Sequence, residues 1–346
     1  MRQAVTIKHV AAEAGVSLQT VSRVINNEPN VRPVVQERVL AAVAKLGYVP
    51  SLAARRLGGS RAYLVIALNH RDRTIEGWRS GEGTDWLDQM LMGGMLKTAE
   101  HGYRMIFELV DTRSSHVERA VQAAIGALHP DGIILTPPHS DNPMITDLLS
   151  RMGLPFARIE SVAQGDGFAI SMDDAKAARE ATEHLIELGH RRVAFITGSD
   201  QYSISAARLE GYRQAMRDAG LGSDEALIGR GDFSYESGIG ATEALLALAD
   251  PPTAVVASND QMTLAALRIA EGRGMALPGR FSIVSFDDTP IIRFKDVTAV
   301  VQPVAAMASE AASLLIRAKA GEHDLPSSVT IPFSLALRSS TGPLTP

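Results

Sequence analysis

The stretch VSLQTVSRVINN, residues 16–27, sets valines among hydroxyl, amide and guanidinium side chains. Val21 and Val24 lie nearly one helical turn apart and predict the buried face of a short helix. Ser17 is a suitable N-cap for this helix, because its hydroxyl can accept a backbone N–H of the first turn. The stretch therefore predicts an amphipathic helix with a polar outer face.

Another short helix is predicted immediately before this one. Ile7, Val10, Ala11 and Ala14 fall on one helical face, and Gly15 ends the pattern. Two short helices joined by a tight glycine turn predict a helix-turn-helix, whose second helix enters the major groove of DNA. An ordinary helical hairpin would share the apolar pattern, but it would not need the polar outer face.

The helical region extends to about residue 50 and is followed by a linker. A third helix is predicted over about residues 33–46, with Pro33 in its first turn and Arg32 in place of a Ser or Thr cap. The segment SLAARRLGGSR, residues 51–61, is too short and too polar to hold a helix by itself. It is predicted to order only on a partner.

Charge is distributed unevenly along the chain. Residues 1–61 carry nine Lys or Arg against three Asp or Glu, whereas the rest of the chain carries 25 basic and 36 acidic residues. A polyanion is therefore attracted to the first region, at +6, and repelled by the second, at −11. This asymmetry favours DNA as the partner of the N-terminal helices, although a basic segment can also be simply solvated.

From Ala62 onward, short apolar runs alternate with helical patterns. This repetition predicts an α/β region with two parallel sheets and right-handed crossovers. Because ligands of open parallel sheets bind beyond the carboxyl ends of the strands, two facing halves predict a small-molecule cleft. The predicted strands are 62–68, 104–109, 131–136, 155–159, 168–172, 192–197, 226–230, 254–258 and 281–286, with two more in 328–338.

The composition excludes several classes of protein. There is no cysteine, so disulfides, thiolate zinc sites and thiol nucleophiles are excluded. No apolar run is long enough for a signal peptide or a membrane span, so the chain is expected to be soluble and unexported. No complete hydrolase, metalloprotease or P-loop motif occurs, and GIGATEA, residues 238–244, lacks the third glycine of a dinucleotide fingerprint.

Residues 5–57, VTIKHVAAEAGVSLQTVSRVINNEPNVRPVVQERVLAAVAKLGYVPSLAARRL, resemble the headpiece and hinge of the lac repressor / galactose repressor family of bacterial transcription regulators. The resemblance continues through HLIELGHRRVAFITG (184–198), AARLEGYRQAM (206–216), ASNDQMTLAALR (257–268) and FSIVSFDDT (281–289), so it covers nearly the whole chain. It implies an all-α helix-turn-helix headpiece and a two-lobed effector region like that of periplasmic binding proteins.

The resemblance also implies domain boundaries. They are a helix-turn-helix domain at 1–50, a hinge helix and linker at 51–61, an effector-binding and dimerisation domain at 62–338, and a tail at 339–346. The first lobe would comprise about 62–171 and 301–326, and the second about 172–300 and 327–338. The chain is therefore expected to cross between the lobes near residues 171, 301 and 326.

Carried over position by position, the resemblance assigns side chains to DNA. Leu18, Gln19 and Arg23 would read bases, and Thr6, Ser17, Thr20, Ser22 and Asn26 would bind backbone phosphates. In the hinge, Ala54 and Leu57 would lie in the minor groove, with Leu57 as an apolar wedge that kinks the duplex. Leu18 cannot donate or accept a hydrogen bond, so any selectivity there must come from a thymine methyl group or from exclusion.

Eight residues are expected to contact a small-molecule effector between the lobes. By motif, Arg208, Asn259 and Asp287 match polar ligand contacts of the family and Phe233 an aromatic wall, while Asp173, Ser205, Trp86 and Asn69 are further candidates. Arginine, carboxylates and an amide suit vicinal hydroxyls, because each hydroxyl can donate to one group and accept from another. The expected effector is a carbohydrate, although Asp173 and Asp287 could instead cap helices.

Together these expectations describe a dimeric repressor. The two headpieces of a homodimer would read a pseudo-palindromic operator in double-stranded DNA, and the effector would change the spacing of the two hinges. No cofactor, metal or membrane is expected, and the expected location is the bacterial cytoplasm, on the nucleoid. Two alternatives are a sugar-binding transport receptor, which would not need residues 1–61, and a sugar-active enzyme, which would turn over its sugar.

The segment NHRDRTIEGWRSGEGTDW, residues 69–86, is expected to be a longer loop than the family usually has after its first strand. At the mouth of the cleft it could reach a ligand larger than a monosaccharide. The side chains that could do so are Arg71, Arg73, Glu76, Trp78 and Trp86. A mobile, solvated loop fits this sequence equally well.

Overall fold

The computed structural model of the protein describes residues 5–25, 30–48, 61–81, 83–111, 116–161, 164–222 and 224–344. The chain forms two compact units. One holds the residues up to Leu64 together with His129–Asp131, and the other holds Val65–Leu128 and Gly132–Pro346.

The smaller unit is built on the helices α1 (Ile7–Ala14), α2 (Leu18–Ile25) and α3 (Pro33–Leu46). Gly15 ends α1 in the left-handed region, with φ of 62°, which turns the chain sharply into α2. Val10, Val21 and Val39, one from each helix, are fully buried against one another in a small core. The helix-turn-helix predicted from the sequence is therefore present.

The larger unit alternates strands with helices. Its strands are β1 (Leu64–His70), β2 (Arg104–Val110), β3 (Gly132–Leu135), β4 (Phe156–Ile159), β5 (Phe168–Ser171), β6 (Val193–Ile196), β7 (Ile228–Gly229), β8 (Ala254–Ala257), β9 (Ser282–Phe286), β10 (Thr298–Val301), β11 (Ser328–Thr330) and β12 (Ser334–Ala336). Its helices are α4 (Arg71–Ser80), α5 (Asp85–Glu100), α6 (Val117–Leu128), α7 (Pro143–Arg151), α8 (Asp174–Glu187), α9 (Ser203–Asp218), α10 (Tyr235–Leu246), α11 (Asp260–Gly272), α12 (Pro290–Phe294) and α13 (Val304–Lys319).

The strands form two six-stranded sheets, and each sheet with its helices makes one lobe. The first sheet has the order β11-β5-β4-β3-β1-β2 and the second β12-β10-β9-β8-β6-β7. In the first sheet the neighbouring strands from β11 to β1 are parallel, and in the second sheet those from β10 to β7 are parallel, while β10 with β12 is antiparallel. The central strands are buried on both faces, which is why they read as continuous apolar runs.

The chain passes between the two lobes three times. The first two passages follow β5 and β10, and the third follows β11, because β11 pairs with β5 in the first sheet and β12 with β10 in the second. The expected third crossing near residue 326 is therefore wrong, and the passage lies at residues 331–333. The two late strands resemble each other in sequence, so only their partners distinguish the sheet to which each belongs.

The segment predicted as a tail from residue 339 packs onto the second lobe instead. Ser340 is 5% exposed, and its Oγ donates to the carbonyl oxygen of Ile283 at 2.6 Å. The carbonyl oxygen of Gly342 accepts from the ring of His190 or from Ser282 Oγ, which lie 3.2 Å and 3.4 Å away. These partners are distant in sequence, so local composition could not reveal them.

Helices α8 and α9 pack so closely that Gly211→Ala is expected to destabilise the protein. A methyl group at Gly211 would lie 1.9 Å from the carbonyl oxygen of Ala175, so one backbone must move. The expected loss is about 1–3 kcal/mol of unfolding free energy, measured by urea denaturation. The matched control is Gly240→Ala in α10, where nothing lies within 4 Å, with an expected gain of about 0.5–1 kcal/mol. Equal gains for both variants would contradict the close approach.

Candidate functional site

The outer face of α2 is the candidate DNA-contacting surface. Val21 and Val24 are buried, which turns Leu18, Gln19 and Arg23 toward solvent. Leu18 is 44% exposed, whereas the valines Val21 and Val24 of the same helix are buried. An exposed apolar side chain beside an amide and a guanidinium suits the mixed edges of the major groove.

Hydroxyl groups at the helix N-termini take part in capping. Ser17 Oγ accepts the backbone N–H of Thr20 at 3.1 Å and lies 2.9 Å from Thr20 Oγ1, so Ser17 caps α2 as predicted. The backbone N–H of Thr6 donates to His9 Nδ1 at 3.0 Å, and Ser22 is half-buried. A capping hydroxyl keeps a lone pair, so Ser17 remains compatible with a DNA contact. Asn26, Ala54 and Leu57 lie outside the described residues.

A cavity that is partly open to solvent lies between the two lobes of the larger unit. Residues at or just after the ends of β1, β4, β8 and β9 line it, as expected for parallel sheets. Six of the eight residues predicted to contact an effector line the cavity, namely Asn69, Trp86, Arg208, Phe233, Asn259 and Asp287.

Arg208 is held rigidly in the wall of this cavity, with 2% exposure. Its Nε donates to Asp174 Oδ1 at 2.7 Å, and its terminal nitrogens donate to the carbonyl oxygen of Ser258 at 2.7 Å and to Gln302 Oε1 at 3.1 Å. The ring of Phe286 lies 4.2 Å from the guanidinium carbon. These contacts fix the plane of the guanidinium, so a ligand meets a preorganised set of donors.

Four carboxyl groups lie in the cavity wall or against Arg208: Glu160, Asp174 and Asp260 are buried, and Asp287 is half-buried. Burial is the main cause of a raised pKa at each, and it raises the pKa of Glu160 to about 7. The charge of Arg208 opposes this rise at Glu160, Asp174 and Asp287, whereas repulsion from Asp287 adds to it at Asp260. The cavity therefore holds carboxyl groups that change protonation near neutral pH.

Three residues of the cavity wall adopt left-handed backbone conformations that favour glycine. Glu160, Phe233 and Asp287 have φ angles of 54°, 74° and 69°. Such conformations cost about 1 kcal/mol or more for residues with a Cβ, and they concentrate at ligand sites. The ring of Phe233 packs directly on the backbone of Gly198, where a methyl group would lie 1.9 Å from Phe233 Cζ.

Asn259 and Trp86 each form hydrogen bonds to other residues of the cavity wall. Asn259 Oδ1 caps α11 by accepting the backbone N–H of Met262, and its Nδ2 donates to the carbonyl oxygen of Phe233 at 2.8 Å. Trp86 Nε1 donates to Glu160 Oε1 at 2.8 Å. The second bond holds an aromatic and an acidic side chain together in the cavity wall.

The structure does not place Asp173 or Ser205 in the cavity, contrary to the expectation. Asp173 is exposed and caps α8 by accepting the backbone N–H of Lys176 at 2.9 Å, which is the capping alternative. Ser205 is buried, and its Oγ donates to the carbonyl oxygen of Ser199 at 2.8 Å. The buried carboxylate that accepts from Arg208 is that of Asp174, the next residue along the chain. The two side chains differ in direction because successive helical side chains point about 100° apart.

Four residues that line the cavity were not predicted from the sequence, namely Glu160, Asp260, Gln302 and Tyr202. Glu160 directly follows a predicted strand, so its position at a strand end was an available signal. Gln302 follows β10, a strand that the sequence analysis did not separate from the helix after it. Their importance depends on contacts with Arg208 and Trp86, which are far away in sequence.

Residues 71–80 form the helix α4 rather than a loop. The side chain of His70 accepts the backbone N–H of Arg73 at 3.2 Å, and Gly81 ends the helix with φ of 73°. No residue of α4 is buried, so the sequence carried no apolar stripe to indicate a helix. Arg73 and Thr74 line the cavity. The other loop candidates, Arg71, Glu76 and Trp78, do not line it.

Neither a membrane-spanning helix nor a cluster of metal ligands is present in the described part of the chain. Among those residues, no helix is both long and apolar enough to cross a membrane. The same residues include no group of three or more His, Asp or Glu arranged to hold a metal ion.

Comparison with known proteins matches both parts of the chain. Residues 6–51 match the family described as bacterial regulatory proteins, lacI family, and residues 182–341 match a periplasmic binding protein-like domain. The HTH-type transcriptional regulator CelR of Thermobifida fusca is 34% identical, over 98% of this chain and 99% of that protein. These matches confirm the resemblance inferred from the sequence motifs.

Two solved structures are similar over nearly the whole chain. The complex of the transcriptional regulator CelR with cellobiose has a TM-score of 0.73 and 31% identity, covering 97% of this chain and 99% of that one. The lac repressor dimer bound to operator and the anti-inducer ONPF has a TM-score of 0.78 and 25% identity, covering 98% and 100%. The predicted two-lobed α/β fold with a helical N-terminal region is confirmed.

Proposed function

The chain belongs to the LacI family of bacterial regulatory proteins, and we propose that it is a repressor whose operator affinity is controlled by a sugar. As a member of that family it is a DNA-binding transcriptional regulator. The observation that carries the sugar proposal is the rigid Arg208 among carboxyl groups and aromatic rings between two lobes. The relative CelR, whose complex with cellobiose is known, supports the same class of effector.

Sugar hydroxyls fit the hydrogen-bonding groups of the cavity. Each hydroxyl can donate to a carboxylate such as Asp287 and accept from Arg208 or Asn259. Phe233 and Trp86 offer flat apolar surfaces for the C–H faces of a pyranose ring. We therefore assign effector contacts to these side chains and to Asn69, and we add Glu160 and Gln302.

On the DNA side, we assign base contacts to Leu18, Gln19 and Arg23. Phosphate contacts are assigned to Thr6, Ser17, Thr20, Ser22 and Asn26, and minor-groove contacts to Ala54 and Leu57. The proposed domains are a DNA-binding domain at 1–50, a hinge at 51–61 and an effector domain from 62, which we extend to 344. A sugar that binds both lobes closes the cleft, and closure changes how the two hinges of a dimer are spaced on DNA.

Exposed apolar side chains support the homodimer in this proposal. On α5, Met92, Met95 and Leu96 are 52%, 53% and 62% exposed, and Phe294 of α12 is 83% exposed. Grouped apolar side chains of this kind are typical of protein interfaces. A two-fold dimer presents each headpiece once to each half of a pseudo-palindromic operator.

We assign no catalytic reaction to the cavity, because the relatives are transcription regulators. The neighbouring carboxyl groups of Asp287 and Asp288 have different partners. Asp287 accepts a hydrogen bond from Gln302, and Asp288 forms an ion pair with Arg338. The proposed location is the cytoplasm, on the nucleoid, where an operator is accessible. A transport receptor is disfavoured, because such a receptor has no use for a helix-turn-helix.

The affinity for the sugar is expected to rise with pH. Burial raises the pKa of Glu160 to about 7 and raises those of Asp260 and Asp287, whereas sugar hydroxyls donate best to ionised carboxylates. Binding therefore releases protons, so the association constant is expected to increase about five- to tenfold from about pH 5.5 to about pH 7.5. Isothermal titration calorimetry in buffers of different ionisation heat measures both the association constant and the number of protons released.

Glu160→Gln is the matched variant for this prediction, because Gln can still accept from Trp86 Nε1 but cannot ionise. It is expected to flatten the dependence of sugar affinity on pH. An unchanged slope in this variant, or an affinity that falls as pH rises, would contradict the proton linkage.

The function is tested by two assays on the full-length protein. Selection of genomic fragments identifies a preferred operator, and thermal shift against mono- and disaccharides and nucleobases identifies the effector, because a native-state ligand raises the melting temperature. A preferred palindrome and a stabilising sugar are expected. Stabilisation by nucleobases alone, or turnover of the stabilising sugar, would refute the proposed function.

A further inference from the structure

Helix α4 presents one face to the cavity and is weakly held by its own lobe. Arg73, Thr74 and Gly77, which lie on one side of the helix, line the cavity. No residue of α4 is buried. On the side of its own lobe, the ring of Trp78 lies 5.9 Å from that of Phe107, but Trp78 is itself 53% exposed. An exposed helix of this kind opens at a small cost in free energy, so α4 is able to move away from the cavity.

Arg73 of this helix covers aromatic side chains of the opposite lobe. Its guanidinium carbon lies 5.1 Å from the ring centroid of Phe233 and 5.3 Å from that of Tyr202, within the range of cation–π contacts. A terminal nitrogen of Arg73 also donates to Tyr202 Oη at 3.4 Å. The tip of the Phe233 ring packs on the backbone of Gly198, and Phe233 is only 6% exposed. A sugar therefore cannot stack on Phe233 until Arg73 has moved.

Arg73 is able to leave this position, whereas Arg208 is not. Arg208 is 2% exposed and paired with Asp174, so its departure would leave a buried carboxyl group without its cation. Arg73 is exposed, and its hydrogen bond to Tyr202 is long. Its guanidinium can therefore move into water and regain its hydration. One arginine of the cavity is fixed and the other is displaceable.

We propose that α4 is a lid over the effector cavity and that Arg73 is its latch, which the effector must displace from Tyr202 and Phe233. This inference rests on the proposed function. Because α4 belongs to the first lobe and both rings belong to the second, the latch also ties the two lobes together before a sugar binds. The latch lowers the apparent sugar affinity in proportion to the fraction of molecules in which the lid is open.

The first test measures sugar binding to the full-length protein by calorimetry, with glucose, xylose, cellobiose and maltose as probes. Arg73→Ala is expected to bind the best of these sugars about three- to tenfold more tightly than the wild type, because no latch competes. The gain is expected in the association rate constant, measured by stopped-flow fluorescence of Trp86, which lines the cavity. Titrations at about pH 8.5 keep Glu160 ionised in both proteins, since the charge of Arg73 also lowers the pKa of Glu160.

Arg79→Ala is the control, because Arg79 lies on the same helix, is exposed and does not line the cavity. Alanine favours helix, so both variants retain α4. Unchanged or weaker sugar binding in Arg73→Ala, or an equal gain in Arg79→Ala, would overturn the latch and leave the sugar effector standing.

The second test needs no sugar and measures hydrogen exchange at the backbone amides of residues 75–80 in the sugar-free protein. Arg73→Ala is expected to speed this exchange about three- to tenfold, and Arg79→Ala less than about twofold, because only the first variant removes the latch. Equal exchange in the two variants would overturn the latch. Faster exchange in Arg73→Ala, with no binding of any probe sugar, would leave the latch standing and overturn the sugar effector.

Discussion

Arg208→Lys is expected to weaken sugar binding about 100-fold and to leave operator binding without sugar within about threefold. Lysine keeps a positive charge beside Asp174, but it has no planar fork to reach the Ser258 carbonyl, Gln302 and a ligand together. The loss corresponds to two charge-assisted hydrogen bonds. Calorimetry measures the sugar affinity, and fluorescence anisotropy with an operator fragment measures the DNA affinity.

Lysine is preferable to alanine at this position, because Arg208→Ala would leave Asp174 buried without its cation. Breaking a buried pair in this way costs about 3–5 kcal/mol, so Arg208→Ala is expected to lower the melting temperature strongly. Arg217→Lys controls for the chemistry of the substitution, since Arg217 lies on the same helix but is exposed and binds Glu210. Equal sugar affinity in Arg208→Lys and Arg217→Lys would show that Arg208 is only structural.

Gln19→Ala is expected to cost about 2–6 kcal/mol of operator binding, because a dimer loses one base contact in each half-site. Gln19 is exposed on α2 and carries no charge. Its loss should therefore leave both binding to unrelated DNA and the salt dependence unchanged. Anisotropy titrations with operator and scrambled duplexes at several salt concentrations measure the two effects.

The matched control for Gln19 is Gln36, a half-buried glutamine on α3 of the same unit. Gln36→Ala is expected to leave operator affinity within about twofold. If Gln19→Ala weakened binding to operator and scrambled DNA by the same factor, Gln19 would not read sequence. If both glutamine variants behaved alike, α2 would not be the recognition helix.

Regular secondary structure was predictable wherever burial follows a simple period. The central strands of both sheets are apolar runs because both of their faces are covered, and α1 to α3 each show one apolar stripe. Helix α4 was missed for the opposite reason, since no side chain on it is buried. Strand β10 was missed because its apolar residues run directly into those before α13.

The site was predictable only where a motif marked it. Arg208, Asn259 and Asp287 were found through their motifs, whereas Glu160 and Gln302 act through partners on helices that are far away in sequence. Asp173 and Asp174 show the limit most clearly, because two identical neighbours take opposite roles at the first turn of α8. Only the direction of each side chain separates the helix cap from the partner of Arg208.

The most direct test measures operator affinity across a salt series, with and without the best-binding sugar, on the intact protein. We predict tight, salt-sensitive binding that prefers the selected palindrome to its scrambled form, and a change of at least about tenfold in operator Kd at saturating sugar. The same affinity for both duplexes would contradict a sequence-reading headpiece. An operator Kd that saturating sugar leaves unchanged would contradict control by the cavity.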